Sequence, residues 1–165
     1  MTGDGAALDR MMAALDAPMV VVTAAARGER AGCMVGFHSQ SSIEPRRCAL
    51  WISKANHTYR VALLATHLAV HALTADDHDL AELFGGRTGD EVDKFARTPW
   101  IPGPGGVPLL DRCPHRAVVR RVALLDEGGD HVCITGEPVA ASSRGPFTPL
   151  RLHDVDDIAP GHPVG

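Results

Sequence analysis

The 165-residue chain has little of what usually announces a function. It carries no run of like charge: 16 lysines and arginines stand against 20 aspartates and glutamates, a formal charge of −4. A phosphate backbone needs clustered positive charge, so nucleic acid is not an expected partner. No stretch reaches the roughly 18 consecutive apolar residues of a membrane span. The opening segment, MTGDGAALDRMMAALD, has neither the basic start nor the continuous apolar centre of a secretory signal. The four cysteines, Cys33, Cys48, Cys113 and Cys133, form no C-x-x-C pair, which argues against a zinc ribbon or a thioredoxin-type centre. Together these absences predict a cytoplasmic protein with reduced thiols and no membrane partner.

The common catalytic signatures are missing as well. The run Gly103-Pro104-Gly105-Gly106-Val107-Pro108 neither follows a strand nor opens a helix, so there is no dinucleotide-binding Rossmann fingerprint. No lysine follows a glycine run as in a P-loop, and no G-x-S-x-G elbow signals a hydrolase. His67 and His71 are four apart, but no H-E-x-x-H motif or nearby carboxylate completes a metal set, so no metal is expected. Any nucleotide must be held by other means.

What is present describes one ordinary domain, with 45% hydrophobic and 22% charged residues. A chain of this size buries a core without a disulfide or metal. The 17 glycines and 12 prolines imply many turns and favour a β-rich fold. We read residues 1–17 as an N-terminal helix and tail, 18–154 as the domain, and 155–165 as a C-terminal tail. Leu8, Met11, Met12 and Leu15 share a helical face that Pro18 terminates. The β-branched run Met19–Thr23, a turn at Arg27-Gly28-Glu29 and the return Ala31–Phe37 read as a hairpin. Cys48–Ser53 is a third strand, and Asn56 caps a short helix over His57–Ala65. His67–Leu73 is a strand, and Thr74 or Asp76 caps a helix over Asp77–Phe84. Another short helix fits Asp90–Phe95, and Thr98–Pro114 reads as an extended surface loop. His115–Leu125 and His131–Ala141 form a hairpin about Asp126–Asp130, and Leu150–Leu152 reads as a last edge strand. The short helices and neighbouring strands favour a small antiparallel barrel of six to seven strands over a doubly wound sheet.

Three segments can carry chemistry. Gly36-Phe37-His38-Ser39-Gln40-Ser41-Ser42 joins two rings to a set of small hydrogen-bonding groups suited to a planar cofactor with a polar arm. The competing reading is a serine-rich loop that satisfies itself. Ser53-Lys54-Ala55-Asn56-His57-Thr58 runs from a strand end into a helix start and suits an anion. It reads equally as an ordinary N-cap beside a surface lysine. Gly129-Asp130-His131 sets a histidine at a hairpin turn, either over a pocket or in solvent.

The order of these pieces resembles the flavin reductase-like family, whose fold is the FMN-binding split β-barrel. The resemblance runs from about Pro18 to Ala141, through Pro18–Ala24, Ala31–Ser39, Ser41–Pro45, Ser53–Thr58, His67–Leu73, Asp93-Lys94-Phe95, Pro108–Asp111 and Gly129-Asp130-His131. It implies a homodimer with FMN in a groove partly lined by the second subunit. It assigns Met34, Val35, Gly36, Phe37, His38 and Ser39 to the isoalloxazine and ribityl side. Ser53, Lys54, His57 and Thr58 would take the phosphate, Lys94 and Phe95 would approach the flavin region, and His131 would meet the nicotinamide. Met34, Val35 and Gly36 stand where many members have Thr or Asn and then Ser, so backbone groups would replace those side chains. The activity implied is hydride transfer from NAD(P)H to flavin N5, with an oxygenase component as recipient of the reduced flavin. Two other readings stay open: a non-catalytic FMN-binding redox protein, and a split-barrel oxidoreductase that uses a deazaflavin.

Overall fold

Strand β1 (Val20–Ala26) separates two cores, and its sequence explains how. Alternate residues of a strand face opposite sides. Val20, Val22 and Ala24 point into one cluster with Leu50, Ile52, Leu68 and Ile134, whereas Val21 joins Leu73, Leu80, Phe84 and Leu110 in another. The computed structural model describes residues 3–161 of the chain. In it β1 returns through Arg27 and Gly28, at φ of 52° and 77°, into β2 (Glu29–Val35). A two-residue turn with both central φ values positive matches the twist of the flanking strands.

The remaining strands are β3 (His38–Ser42), β4 (Arg47–Ser53), β5 (His67–Ala72), β6 (Trp100–Pro102), β7 (Pro108–Leu110), β8 (Arg116–Leu125) and β9 (His131–Ser142). Seven of them form an antiparallel sheet in the order β2-β1-β5-β8-β9-β4-β3. The sheet curls but does not close by hydrogen bonds, because β2 and β3 are both edges. Register shifts in β8–β9 at Val118/Val119 and Arg121/Ala123 help it curl, since a bulge sharpens local twist. This is the mainly β, split-barrel architecture that the sequence predicts.

Three helices accompany the sheet: α1 (Gly3–Leu15), α2 (His57–Ala62) and α3 (His78–Gly85). Asn56 caps α2 as expected, its Oδ1 accepting from Thr58 N–H at 3.2 Å. The apolar side of α2 and the residues after it, Val61, Ala62 and Ala65, plug one end of the barrel. α3 covers the outer face of β1 and β2 with Leu80, Ala81 and Phe84. No helix among the described residues is long and apolar enough to cross a membrane.

Several local expectations are corrected. The Ser-rich segment after Phe37 is not a loop but edge strand β3, paired to β4. The expected Asp90–Phe95 helix is reduced to a 3-10 turn, Lys94–Ala96, capped by Asp93. The Thr98–Pro114 loop contains the small β6–β7 hairpin. Leu150–Leu152 makes no edge strand; Arg151 forms a single bridge with Pro18, and Leu152–Val155 turns into a 3-10 helix. At the head of α3, Asp77 rather than Thr74 or Asp76 holds the N-cap position, and its Oδ2 accepts from Thr74 N–H at 2.8 Å. As far as Gly161 the C-terminal segment is anchored on α3: Asp157 bonds His78 at 2.9 Å, and Gly161 N–H donates to Gly85 O at 3.1 Å. Met1, Thr2 and residues 162–165 of the expected tails lie outside the described residues.

Candidate functional site

The outer face of β4, β8 and β9, bordered by Phe37, carries an aromatic cleft, and strand register builds it. Trp51 stands opposite Cys133 and Ser53 opposite His131, while Leu125 stands opposite Cys133 from the other side. Trp51 N–H donates to Phe37 O at 3.0 Å, which brings the Gly36-Phe37 corner alongside. The intervening residues, Leu50, Ile52 and Ile134, fill the barrel, so Phe37, Trp51, His131 and Cys133 face outward. The resulting cleft encloses about 450 Å³. Phe37 is 57% exposed and Trp51 36% exposed at its walls. Two adjoining aromatic surfaces open to water mark a face built to be covered.

His131 is held in this cleft from two directions. Its ring centroid lies 5.1 Å from that of Phe37, and its Nδ1 is 2.7 Å from Asp130 Oδ1. Nδ1–H donating to that carboxylate leaves Nε2 as the free ring nitrogen, and the same bond holds the Asp130 carboxyl below its ordinary range. Lys54 N–H donates to Asp130 O at 2.8 Å and ties the β4–α2 turn to the β8–β9 turn.

The anion reading of that turn meets a specific geometry. Lys54 Nζ donates to Asp126 Oδ1 at 2.8 Å, and this bond holds Asp126 below the usual carboxylate range. Most turn amides are used locally: Ala55 N–H bonds Ser53 Oγ, Asn56 N–H bonds Ser53 O, and Thr58 N–H bonds Asn56 Oδ1. Thr58 is 1% exposed, and its hydroxyl has no hydrogen-bond partner among the described residues. Lys54 is therefore the group of this segment that can turn to an anion, by exchanging Asp126 for it.

His57, Lys94 and Phe95 line a second hollow of about 360 Å³ with Glu29, Arg30 and Asp90. His57 is clamped between Glu29 Oε1 at 2.8 Å and Asp90 Oδ1 at 3.1 Å. Lys94 is buried, and its Nζ donates to Gly32 O at 2.8 Å and Phe84 O at 3.0 Å, pinning β2 to α3. Burial pushes this amine down to about 8. Phe95 meets Phe84 edge-on at 5.7 Å and Trp100 at 6.1 Å.

Of the other candidates, Val35 is in the barrel core and Met34 packs on the α3 side. Gly36 lets the chain pass Met19, where a Cβ would come within 3.3 Å of its side chain. His38 and Ser39 line a third hollow at the barrel mouth. Phe37 and His131 thus line one cleft, Ser53 and Lys54 adjoin it through their pairing with His131 and Asp130, and the rest distribute around or beneath it. Trp51, Leu125 and Cys133 are not among the sequence-derived candidates. Their signal is the alternation of outward Trp51 and Ser53 with inward Leu50 and Ile52 in β4.

Residues 12–155 match the flavin reductase like domain. The chain belongs to that family. As a flavin reductase-like protein it is 33% identical over 129 residues to the FMN reductase (NADH) SmoA of Agrobacterium fabrum, across 76% of this chain and 70% of that one. It is 29% identical over 100 residues to the FMN reductase (NADH) RutF of Stutzerimonas stutzeri, across 61% of this chain and 57% of RutF. The alignment thus spans little more than half the length of RutF. The fold is shared with the flavin reductase domain protein from Arthrobacter sp. FB24, at a TM-score of 0.80 and 22% identity over 98% of this chain and 96% of that one.

Proposed function

We propose that the chain is an NADH-dependent flavin reductase that takes FMN in the cleft of Phe37, Trp51 and His131. The observation that carries this reading is the contact between the Phe37 and His131 rings at 5.1 Å, on an open aromatic face of a flavin reductase-like chain. The residues present fit the group. Two exposed aromatic walls suit a flat ring, and Ser53, paired with His131, and Lys54, bonded to Asp130 O, adjoin the cleft where they could take a phosphate arm. FMN, when bound, supplies the hydride acceptor for the nicotinamide.

The work left to the chain is positioning. Phe37 and Trp51 offer apolar surface that excludes water from one side of the cleft. Asp130 fixes the tautomer of His131, so Nε2 can accept a hydrogen bond from the nicotinamide amide. Lys54 leaves Asp126 to hold the phosphate. Of the Met34–Ser39 segment, Phe37 supplies the wall of the cleft. A second copy of the chain covers the open side of the cleft, forming a homodimer, and an oxygenase component receives the reduced flavin.

Anaerobic stopped-flow mixing of FMN-loaded protein with NADH, and separately with NADPH, tests the reading. The oxidised-flavin absorbance near ~450 nm should bleach in a saturable, nicotinamide-dependent phase. Absorbance that persists under excess of both nicotinamides would overturn it.

A further inference from the structure

Strand β8 outruns one of its neighbours. β5 pairs with Arg116–Arg120, and the last bond on that side runs from Arg121 N–H to Thr66 O at 2.9 Å. Beyond it, Val122–Leu125 pairs only with β9 among the described residues, which leaves one row of its backbone groups without a strand partner. The side chains on this edge are apolar. Val122, Leu124 and Leu125 are 48%, 37% and 54% exposed, and Ala123 is exposed between them. A strand edge that stays free is blunted by lysine, proline or an inward charge, and these four positions carry none.

The stretch is also its own complement. Arg120-Arg121-Val122-Ala123-Leu124-Leu125-Asp126-Glu127 places two cations before four apolar residues and two anions after them. The faces agree with an antiparallel match. Arg121 stands opposite Gly136 and Ala123 opposite Thr135, so Val122 is the extra residue of a bulge. Arg121 and Leu124 therefore share the face of Ile134, and Arg120, Ala123 and Leu125 share the outward face of Cys133. Glu127 lines the cleft on that outward side. A second β8, turned about a twofold axis at Leu124, sets Ala123 opposite the partner's Leu125. Past the bulge it brings Arg120 to the partner's Glu127 on the same face. Arg121 and Asp126 are already held within the chain, by Leu63 O at 2.7 Å and Lys54 Nζ at 2.8 Å. Arg120 bonds Glu137 through Nη2 alone, and Glu127 has no partner among the described residues, so these two are the charges available across the axis.

We infer that Val122–Leu125 is the surface at which two copies of the chain join their sheets, β8 pairing antiparallel with β8 of the partner. Twofold symmetry makes every such contact twice. A foreign strand would use the unpaired backbone equally well, but it would not call for an octet complementary to itself. The inference rests on the proposed homodimer and deepens it, because it fixes the strand, the register and the group supplied. Leu125 and Glu127 both line the aromatic cleft, so the partner's Arg120 arrives at the wall of the flavin site.

Sedimentation equilibrium of the full-length chain, without FMN or nicotinamide, tests the pairing. Wild type should sediment at twice the chain mass of 17.5 kDa. Leu124→Lys, which sets two ammonium groups face to face at the axis, should weaken the dimer about a hundredfold. Arg120→Glu and Glu127→Arg should each weaken it about tenfold, and the double variant should return to within about threefold of wild type. Positions 120 and 127 of one chain lie roughly 20 Å apart along an extended strand, well beyond a screening length of about 8 Å, so rescue requires that they meet between chains. A wild type that stays monomeric, a dimer unmoved by folded Leu124→Lys, or a double variant no tighter than the single ones would each overturn the inference. If Leu124→Lys fails to fold by circular dichroism, the charge exchange at two exposed positions decides the matter alone. No flavin enters these measurements, so a chain that pairs this way and fails to reduce FMN refutes the reductase reading only, and a chain that reduces FMN without this pairing refutes the interface only.

Discussion

His71 offers the sharpest test of the packing that supports the cleft. It is fully buried, with Nδ1–H donating to Val21 O at 3.1 Å and Nε2 accepting from Leu110 N–H at 3.1 Å. One side chain therefore joins β5, β1 and the β7 segment. Burial, with Arg116 adding to it, pushes this imidazole down from 6.5 to about 4 despite its bond to Val21. The unfolded chain binds the proton more readily than the folded one. Stability from this group is therefore fully present above pH 6.5 and is lost as pH falls toward 4. At about 1.4 kcal/mol per unit, the loss by pH 4.5 is about 2–3 kcal/mol. His71→Leu removes the titration but leaves a buried N–H and C=O unpaired, at a cost of roughly 2–4 kcal/mol near pH 8. Urea unfolding of both proteins at pH 8 and pH 4.5 reads the two effects apart. The variant should be less stable at pH 8, with the gap narrowing by about 2–3 kcal/mol at pH 4.5. A gap that is the same at both pH values, or a variant as stable as wild type at pH 8, would refute the assignment of a neutral, doubly bonded imidazole.

Asp126→Asn should free Lys54 and tighten FMN several-fold, and Lys54→Ala should weaken it several-fold, with riboflavin affinity unchanged in both. Fluorescence titrations decide this, and equal effects on FMN and riboflavin would remove Lys54 from the phosphate. Because the Lys54–Asp126 pair is largely exposed, neither change should move the melting temperature appreciably. His131→Ala should slow NADH-driven flavin reduction about tenfold while leaving the FMN dissociation constant within about twofold, as stopped-flow and titration together would report. Gly136→Ala places a methyl group 2.7 Å from both Cβ and Cγ2 of buried Val119 and 3.2 Å from Arg120 O, where the β8–β9 pairing leaves little room. A loss of about 1–3 kcal/mol in denaturant unfolding is expected.

The elements most legible in the sequence are those whose residues settle their own conformation. Val20–Thr23 is β-branched, Arg27-Gly28 suits a tight turn, and Asn56 caps α2 with its own side chain. Strand β3 is the reverse case. His38-Ser39-Gln40-Ser41-Ser42 has the composition of a loop, and it becomes a strand because β4 offers it an unpaired edge. The prolines between Thr98 and Pro114 read as irregular chain, yet Pro102 and Pro108 sit opposite each other at the turn end of the β6–β7 hairpin. Of the candidate site, Phe37 and His131 were each visible as ring-bearing corners of the chain. Their adjacency was not, because 94 positions separate them and only the β3–β4–β9 register brings the rings to 5.1 Å.

By itself the sequence determined the class of fold, the resemblance to flavin reductases and the identity of the corner residues, since hydrophobic period, turn chemistry and motif order are local properties of the chain. Tertiary structure decided which of those corners share a cleft, that Lys54 rests on Asp126, that Lys94 and Thr58 are buried, and that the barrel keeps one open mouth. Those outcomes depend on strand register and on which edge finds a partner, and these are settled by contacts between segments that no local pattern encodes.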